Sequence, residues 1–222
     1  MIISLTGFMG CGKSSVGRKL SELLCCPFMD LDDIIEERAG RRIPEIFASE
    51  GEAEFRRMEA EALEAVTGQQ PKCSGGPLPL RGPLPLAGGG KMPPPHNGQT
   101  VSSHENSEGK TRGVLALGGG AVMTPSCAKL VHEHTLCIYL RASVETLLAH
   151  LSGEADGRPM LEGRSLRSRI EELMTLRSST YEKTAHIIID TDGKSIDYIC
   201  QEIISTAILP GLRSSRPFHG GP

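Results

Sequence analysis

The chain alternates between short apolar runs rich in β-branched residues and longer segments in which apolar residues recur every three or four positions. Short runs of this kind are typical of buried strands, and the longer period is typical of amphipathic helices. The runs predict strands at residues 2–6, 27–29, 113–117, 136–140 and 186–190. The periodic segments predict helices at residues 13–24, 32–39, 43–48, 52–66, 125–132, 144–151, 165–181 and 196–209. This alternation predicts an α/β fold, in which helices cover both faces of a five-stranded parallel sheet.

The alternation is interrupted at residues 67–112, which are crowded with Pro, Gly, Ser and polar residues. We predict a disordered insertion there, because such a composition buries too little apolar surface to fold. The apolar pattern resumes at Gly113, so residues 1–209 are expected to form one domain, followed by a flexible tail at 210–222. The PLPLRGPLPL near-repeat can also be interpreted as a ligand for a proline-reading module.

Charge and cysteine content narrow the classes of function. The 24 basic and 27 acidic residues give a formal net charge of -3 and are spread along the sequence, which argues against a nucleic-acid partner. Seven cysteines without a C-x-x-C pair argue against a disulfide framework and a zinc site. The first ten residues, MIISLTGFMG, lack a basic region and are too short to span a bilayer. We expect a cytoplasmic, monomeric protein that binds no membrane.

Residues 7–14, GFMGCGKS, match the phosphate-binding pattern G-x-x-x-x-G-K-[ST] between a predicted strand and a predicted helix. In such a loop the backbone N–H groups and the helix N-terminus face the phosphates. Lys13 is expected to neutralise phosphate oxygens, and the Ser14 hydroxyl is expected to bind Mg²⁺. The predicted ATP-binding residues of this loop are Gly10, Cys11, Gly12, Lys13, Ser14 and Ser15. Cys11 lies near a helix N-terminus, which favours a reactive thiol.

Two carboxylates follow the second predicted strand, Asp30 and Asp32. One can steady Mg²⁺ and the other can hold or deprotonate an acceptor hydroxyl. The alternative interpretation is that these carboxylates cap the next helix, with Asp32 and Asp33 opening it. We therefore predict Ser14 and Asp30 as the metal site and Asp32 as a catalytic and substrate-binding residue, with helix capping left open.

The third predicted strand leads into Gly118, Gly119 and Gly120, at the sheet edge where ligands bind in open α/β folds. Three glycines permit close backbone approach, although glycine is also the common residue of an ordinary turn. Separate segments carry arginines, whose planar fork suits carboxylate and phosphate. These are Arg56, Arg57, Arg158 and Arg177, each of which can also be a solvated surface charge.

In order along the chain, the segments GFMGCGKSSVGRKL, DLDDIIEERAGRRIPEIFASEGEAEFRRME, LALGGGAV, GRPML and LRSSTYEKTA resemble the shikimate kinases. The resemblance covers everything except the insertion and the tail. It implies transfer of the γ-phosphoryl group of Mg-ATP to the 3-hydroxyl of shikimate, a step of aromatic amino-acid synthesis, on a P-loop fold like that of the nucleoside monophosphate kinases.

The resemblance also implies roles for individual residues. Arg56 and Arg177 would clamp the shikimate carboxylate, Asp32 would meet its hydroxyls, and the Gly118–Gly120 turn would line its site. Arg158 would be a lid arginine that binds the phosphates and takes part in catalysis with Lys13 and Asp32.

The chain departs from the family pattern where many relatives carry an arginine near the adenine, because it has His150 and Leu151 there. Lys194 in the DTDGKS turn is our substitute candidate for binding ATP. Two rival functions stay open at this point. One is another small-metabolite kinase, such as gluconate kinase, and the other is a non-catalytic module with the same fold.

Overall fold

A computed structural model describes residues 1–68, 111–152 and 166–208 of the chain. The strands of the described part are β1 (Ile2–Thr6), β2 (Phe28–Asp30), β3 (Gly113–Ala116), β4 (Leu136–Arg141) and β5 (Ile187–Asp190). All pairs are parallel, and the order across the sheet is β2-β3-β1-β4-β5. The predicted five-stranded parallel sheet is confirmed.

The helices of the described part are α1 (Lys13–Leu23), α2 (Leu31–Ala39), α3 (Ile43–Thr67), α4 (Pro125–His134), α5 (Val144–Leu151), α6 (Leu166–Thr184) and α7 (Ile196–Ile208). A short 3-10 helix spans Ala121–Met123. No helix of these three ranges is long and apolar enough to cross a membrane.

The core lies on both faces of the sheet. Alternate residues of a strand point to opposite faces, so Ile3 and Ile138 join one apolar cluster with side chains of α1, α5 and α7. Leu115 and Tyr139 face the other way and join a second cluster with side chains of α2, α3 and α4. This double coverage explains why the central strands are almost continuously apolar instead of alternating.

The largest differences from the predicted helix boundaries are in α3 and α6. Residues 43–48 and 52–66 form one helix, α3, interrupted at Gly51, whose φ of 80° and ψ of 178° are not helical. Thr67 ends this helix and Gly68 caps it, so the insertion predicted from residue 67 begins later. The longer α6 extends to Thr184, because its buried face continues past Tyr181.

Other predicted segments are only partly described. At the far end of the predicted insertion, Arg112 N–H donates to the Met1 carbonyl at 2.6 Å, next to the β1–β3 pair. Residues 69–110, the tail at 210–222, and the predicted lid with Arg158 lie outside the described residues. The division into one domain, an insertion and a tail therefore stays a prediction.

Candidate active site

The phosphate-binding loop runs from the end of β1 into α1. Gly10 has φ of 80°, and a side chain there would also meet the Leu151 side chain at 2.9 Å. Only glycine combines this left-handed backbone with such close packing. The first turn of α1 carries no acidic residue, and its N-cap, Gly12, makes no side-chain hydrogen bond. The N–H groups and the positive end of the helix dipole are thus left for an anion.

Lys13 folds back over the loop that precedes it. Its Nζ donates to the carbonyl oxygens of Gly7, at 3.0 Å, and Phe8, at 2.9 Å. An ammonium group has three donors, so these two bonds leave one for a phosphate oxygen. The positive charge is therefore held at the loop before any nucleotide binds.

Ser14 and Asp30 lie side by side, as the predicted metal site requires. The Ser14 hydroxyl donates to Asp30 Oδ2 at 2.9 Å. Asp30 Oδ1 accepts from the Asp32 N–H at 3.2 Å and so caps α2. The helix-capping interpretation of this carboxylate pair is confirmed, because Asp30 is the N-cap and Asp32 and Asp33 lie in the first turn of α2. One hydroxyl and one carboxylate are oxygen ligands of the kind that Mg²⁺ prefers, so these two residues fit the metal.

Asp32 stands in the first turn of α2, facing the triple-glycine turn. Burial, reinforced by the charge of Asp30, raises the pKa of Asp32 to about 6, although Lys13 opposes the shift. A Cβ atom on Gly118 would lie 2.7 Å from Asp32 Oδ1. A side chain at position 118 would therefore clash with the Asp32 carboxylate. Asp32 is the group whose close approach to this turn the glycines permit.

Arg56 lies on α3, above the last residue of the same turn. Its guanidinium donates to Glu59 Oε2 at 2.8 Å and to Glu52 Oε1 at 3.1 Å. A Cβ atom on Gly120 would lie 2.6 Å from Arg56 Nη2. The turn therefore receives Asp32 at Gly118 and Arg56 at Gly120, and both approaches depend on the missing side chain.

The neighbouring Arg57 points away from the site. It pairs with Glu54 and Glu61 on the outer face of α3, and 53% of its side chain is exposed. The interpretation of Arg57 as a solvated surface charge is correct.

Glu59 is a site residue that the sequence analysis missed. It is 1% exposed, and its Oε1 has no hydrogen-bond partner among the described residues. Burial raises the pKa of Glu59, and the nearby charge of Arg56 opposes the rise. A signal was present in the sequence, because Glu59 shares the buried face of α3 with Phe55, Ala62 and Leu63. Acidic side chains are almost never fully buried without a partner, so a carboxylate at a core-facing helix position indicates an ion pair.

Arg177 approaches the turn from α6 and is only 8% exposed. One helical turn later, the Tyr181 hydroxyl donates to the Gly119 carbonyl. Side chains of α2, α3 and α6 therefore meet the three consecutive glycines, which explains how residues distant in sequence converge.

A cleft of about 780 Å³ joins these parts. It is lined by eleven of the predicted site residues: Gly10, Cys11, Gly12, Lys13, Ser14, Ser15, Asp30, Asp32, Gly118, Gly119 and Lys194. Arg56, Gly120 and Arg177 are not among its lining residues, although the Arg56 guanidinium lies against Gly120. Arg158 lies outside the described residues.

The nucleotide side of the cleft contains a contact that the sequence did not predict. His150, at the end of α5, lies with Nδ1 2.8 Å from the Gly10 carbonyl. Because a carbonyl only accepts, this contact fixes the proton on Nδ1. Opposite, Lys194 pairs with Glu202 at 2.6 Å.

Cys11 is 3% exposed, so little of its side chain is open to reagents, and a reactive thiol stays a prediction. Its side chain packs into the core cluster of α1, α5 and α7 and also borders the cleft.

Comparison with known proteins agrees with this geometry. The family model for shikimate kinase matches residues 9–76 and 101–208. A shikimate kinase of Thioalkalivibrio sulfidiphilus is 35% identical over 201 residues, covering 90% of this chain and 84% of the relative. One from Thermus thermophilus is 34% identical over 202 residues, covering 91% of this chain and 87% of the relative.

A solved structure shows the same likeness in three dimensions. The shikimate kinase from Acinetobacter baumannii, in complex with shikimate, superposes with a TM-score of 0.69 at 27% identity, covering 92% of this chain and 90% of that one. Sequence, fold and cleft agree: the chain belongs to the shikimate kinase family.

Proposed function

We propose that this member of the shikimate kinase family transfers the γ-phosphoryl group of Mg-ATP to the 3-hydroxyl of shikimate. The observation that carries the proposal is the continuous cleft, with the phosphate loop at one end and Asp32 beside the triple-glycine turn at the other. A donor and an acceptor bound at its two ends lie next to each other, which is the main requirement of phosphoryl transfer.

The phosphate loop binds the donor. Backbone N–H groups at the start of α1 and the third donor of Lys13 contact the phosphate oxygens. Ser14 and Asp30 would hold Mg²⁺, which neutralises charge on the phosphates when it is bound. Because Lys13 is already anchored on the Gly7 and Phe8 carbonyls, little reorganisation accompanies the build-up of negative charge in the transition state.

The acceptor binds against the glycine turn. Arg56 and Arg177 hold its carboxylate, as guanidinium groups do in paired charge-assisted hydrogen bonds. The Glu59 and Glu52 carboxylates keep Arg56 oriented without filling all five of its donors.

Asp32 accepts a hydrogen bond from the acceptor hydroxyl and takes its proton as the new P–O bond forms. A pKa of about 6 leaves Asp32 mostly ionised near neutral pH, yet makes it a stronger base than an ordinary aspartate.

The remaining assignments follow from the family resemblance. Arg158 closes on the phosphates and helps exclude water, which otherwise competes as the acceptor. Lys194 lines the nucleotide side of the cleft and is our candidate for binding ATP. We also propose that the protein is a cytoplasmic monomer.

The test is a coupled ADP-release assay with Mg-ATP and shikimate, run beside gluconate. We expect turnover with shikimate and none above background with gluconate. Arg56→Ala should lower kcat/KM for shikimate by about 10- to 150-fold, since a partly buried charge-assisted contact is lost. Arg57→Ala is the matched control, because this neighbour faces solvent, and it should stay within about twofold of wild type. A preparation that binds ATP but shows no turnover with shikimate would refute the proposal.

A further inference from the structure

Tyr181 is a buried residue of α6 to which the proposed reaction assigns no role. It is completely buried, and its ring packs on Tyr139 with 5.2 Å between ring centroids. Phenylalanine would fill the same space, so packing alone does not explain the hydroxyl. That hydroxyl donates to the carbonyl oxygen of Gly119, the central residue of the glycine turn.

The same hydroxyl also contacts Arg177, one helical turn earlier. Burial raises the pKa of Tyr181, whereas the charge of Arg177 and a hydrogen bond from its side chain lower it. Arginine only donates and a carbonyl only accepts, but a phenol hydroxyl does both. The hydroxyl of Tyr181 can therefore accept from Arg177 while it donates to Gly119.

This pair of bonds spans the two halves of the acceptor site. Gly119 lies between Gly118, which receives Asp32, and Gly120, which receives Arg56. Arg177 comes from a different helix. The Tyr181 hydroxyl thus lies between Arg177 and the backbone of that turn.

We propose that Tyr181 is a positioning residue that holds Arg177 in register with the glycine turn and thereby sets the affinity for a carboxylate-bearing acceptor. The inference rests on the proposed function, in which Arg177 and the turn bind that acceptor. Tyr181 is completely buried and acts through Arg177.

The test is Tyr181→Phe, which removes a single oxygen atom. We expect KM for shikimate to rise about tenfold, the size of one hydrogen bond to a charged group. The values of kcat and of KM for ATP should stay within about twofold, because the phosphate loop is untouched. Tyr139→Phe is the matched control, since Tyr139 is almost as buried and its hydroxyl lies near Ser178 instead of the turn. It should leave all three constants near their wild-type values.

A double-mutant cycle separates positioning from simple stability. If Tyr181 acts through Arg177, then Tyr181→Phe should have little further effect on KM for shikimate in an Arg177→Lys background. Direct calorimetric titration of shikimate into each variant gives the same comparison without turnover. An unchanged KM for shikimate in Tyr181→Phe, with a fall in Tm equal to that of Tyr139→Phe, would overturn the inference. The proposed function would still stand if the wild-type enzyme turned over shikimate. An inactive wild-type enzyme would instead refute the proposed function, and the inference with it.

Discussion

Gly118→Ala should separate activity from stability, because the added methyl group meets Asp32, the side chain that we propose as catalytic. The new Cβ atom would lie 2.7 Å from Asp32 Oδ1 and 3.2 Å from Glu59 Oε1. Comfortable C···O contacts start at about 3.3 to 3.6 Å, so the Asp32 carboxylate must retreat by roughly 0.6 to 0.9 Å. Since misplacement by about 1 Å can cost 100-fold in rate, we expect kcat/KM for shikimate to fall about 10- to 100-fold.

The free energy of unfolding should change far less than the rate. Gly118 has no positive φ, so alanine brings no backbone strain there. The Asp32 carboxylate faces the cleft and can rotate away, which limits the overpacking cost to about 1 kcal/mol. Urea unfolding, followed by circular dichroism, measures the change in the free energy of unfolding, and the ADP-release assay measures kcat/KM of the same variant.

Gly40→Ala is the control with the opposite expected outcome, a loss of stability without a loss of activity. Gly40 caps α2 with φ of 64°, and no atom lies within 4 Å of a Cβ placed there. Alanine in the left-handed region costs about 1 to 2 kcal/mol, so this variant should lose stability while keeping kcat/KM. Wild-type kcat/KM in folded Gly118→Ala, or equal losses of activity in the two variants at matched stability, would refute the role given to the Asp32 position.

Three further predictions follow from the site. Burial and Asp30 raise the pKa of Asp32 to about 6, so kcat/KM should fall as the pH drops below about 6. Because its pKa is raised, Asp32 stabilises the fold fully below pH 3.8 and loses this stabilisation as the pH rises through about 6. Asp32→Asn should therefore be less active than wild type yet unfold at a higher urea concentration near neutral pH. An equal or lower urea midpoint of unfolding would contradict this. Lys13→Met should lower kcat by more than about 100-fold with an unchanged circular dichroism spectrum, and a smaller loss would contradict the role of its charge. His150→Gln should raise KM for ATP about 2- to 10-fold. His150→Asn should stay closer to wild type, because its amide nitrogen lies where Nδ1 donates to Gly10. Equal effects of the two variants would exclude the loss of this hydrogen bond as the cause of the higher KM.

Much of the nucleotide side could be predicted because it is local in sequence. The glycine pattern, Lys13 and Ser14 are neighbours in the chain, and their positions follow from one strand–loop–helix unit. The adjacent Asp30 was also predictable, and so was helix capping by this carboxylate pair, but not which of the two residues is the cap. Which carboxylate accepts from a backbone N–H depends on the angle at which the strand enters the helix.

The acceptor side was less predictable because its parts are distant in sequence. The three glycines indicated a close approach, but the sequence does not say that Asp32 and Arg56 are what approach them. Arg56 and Arg57 are adjacent and lie on different faces of α3. The resemblance to known kinases indicated which of them faces the site, and helical periodicity alone did not. Tyr181 carries no signal of its own, since its hydroxyl matters only once α6 packs beside Gly119.

The scatter of the acceptor site along the chain links substrate binding to folding. Asp32, Arg56, the glycine turn and Arg177 come from elements that meet only in the assembled sheet and helices. An unfolded or partly folded chain has no such site, so shikimate binds the native state alone and shifts the unfolding equilibrium towards it. At 100 times its Kd, a ligand of this kind adds about 2.7 kcal/mol to the free energy of unfolding. The melting temperature of this protein should therefore rise with the concentration of its substrate, which makes thermal unfolding a direct reporter of acceptor occupancy.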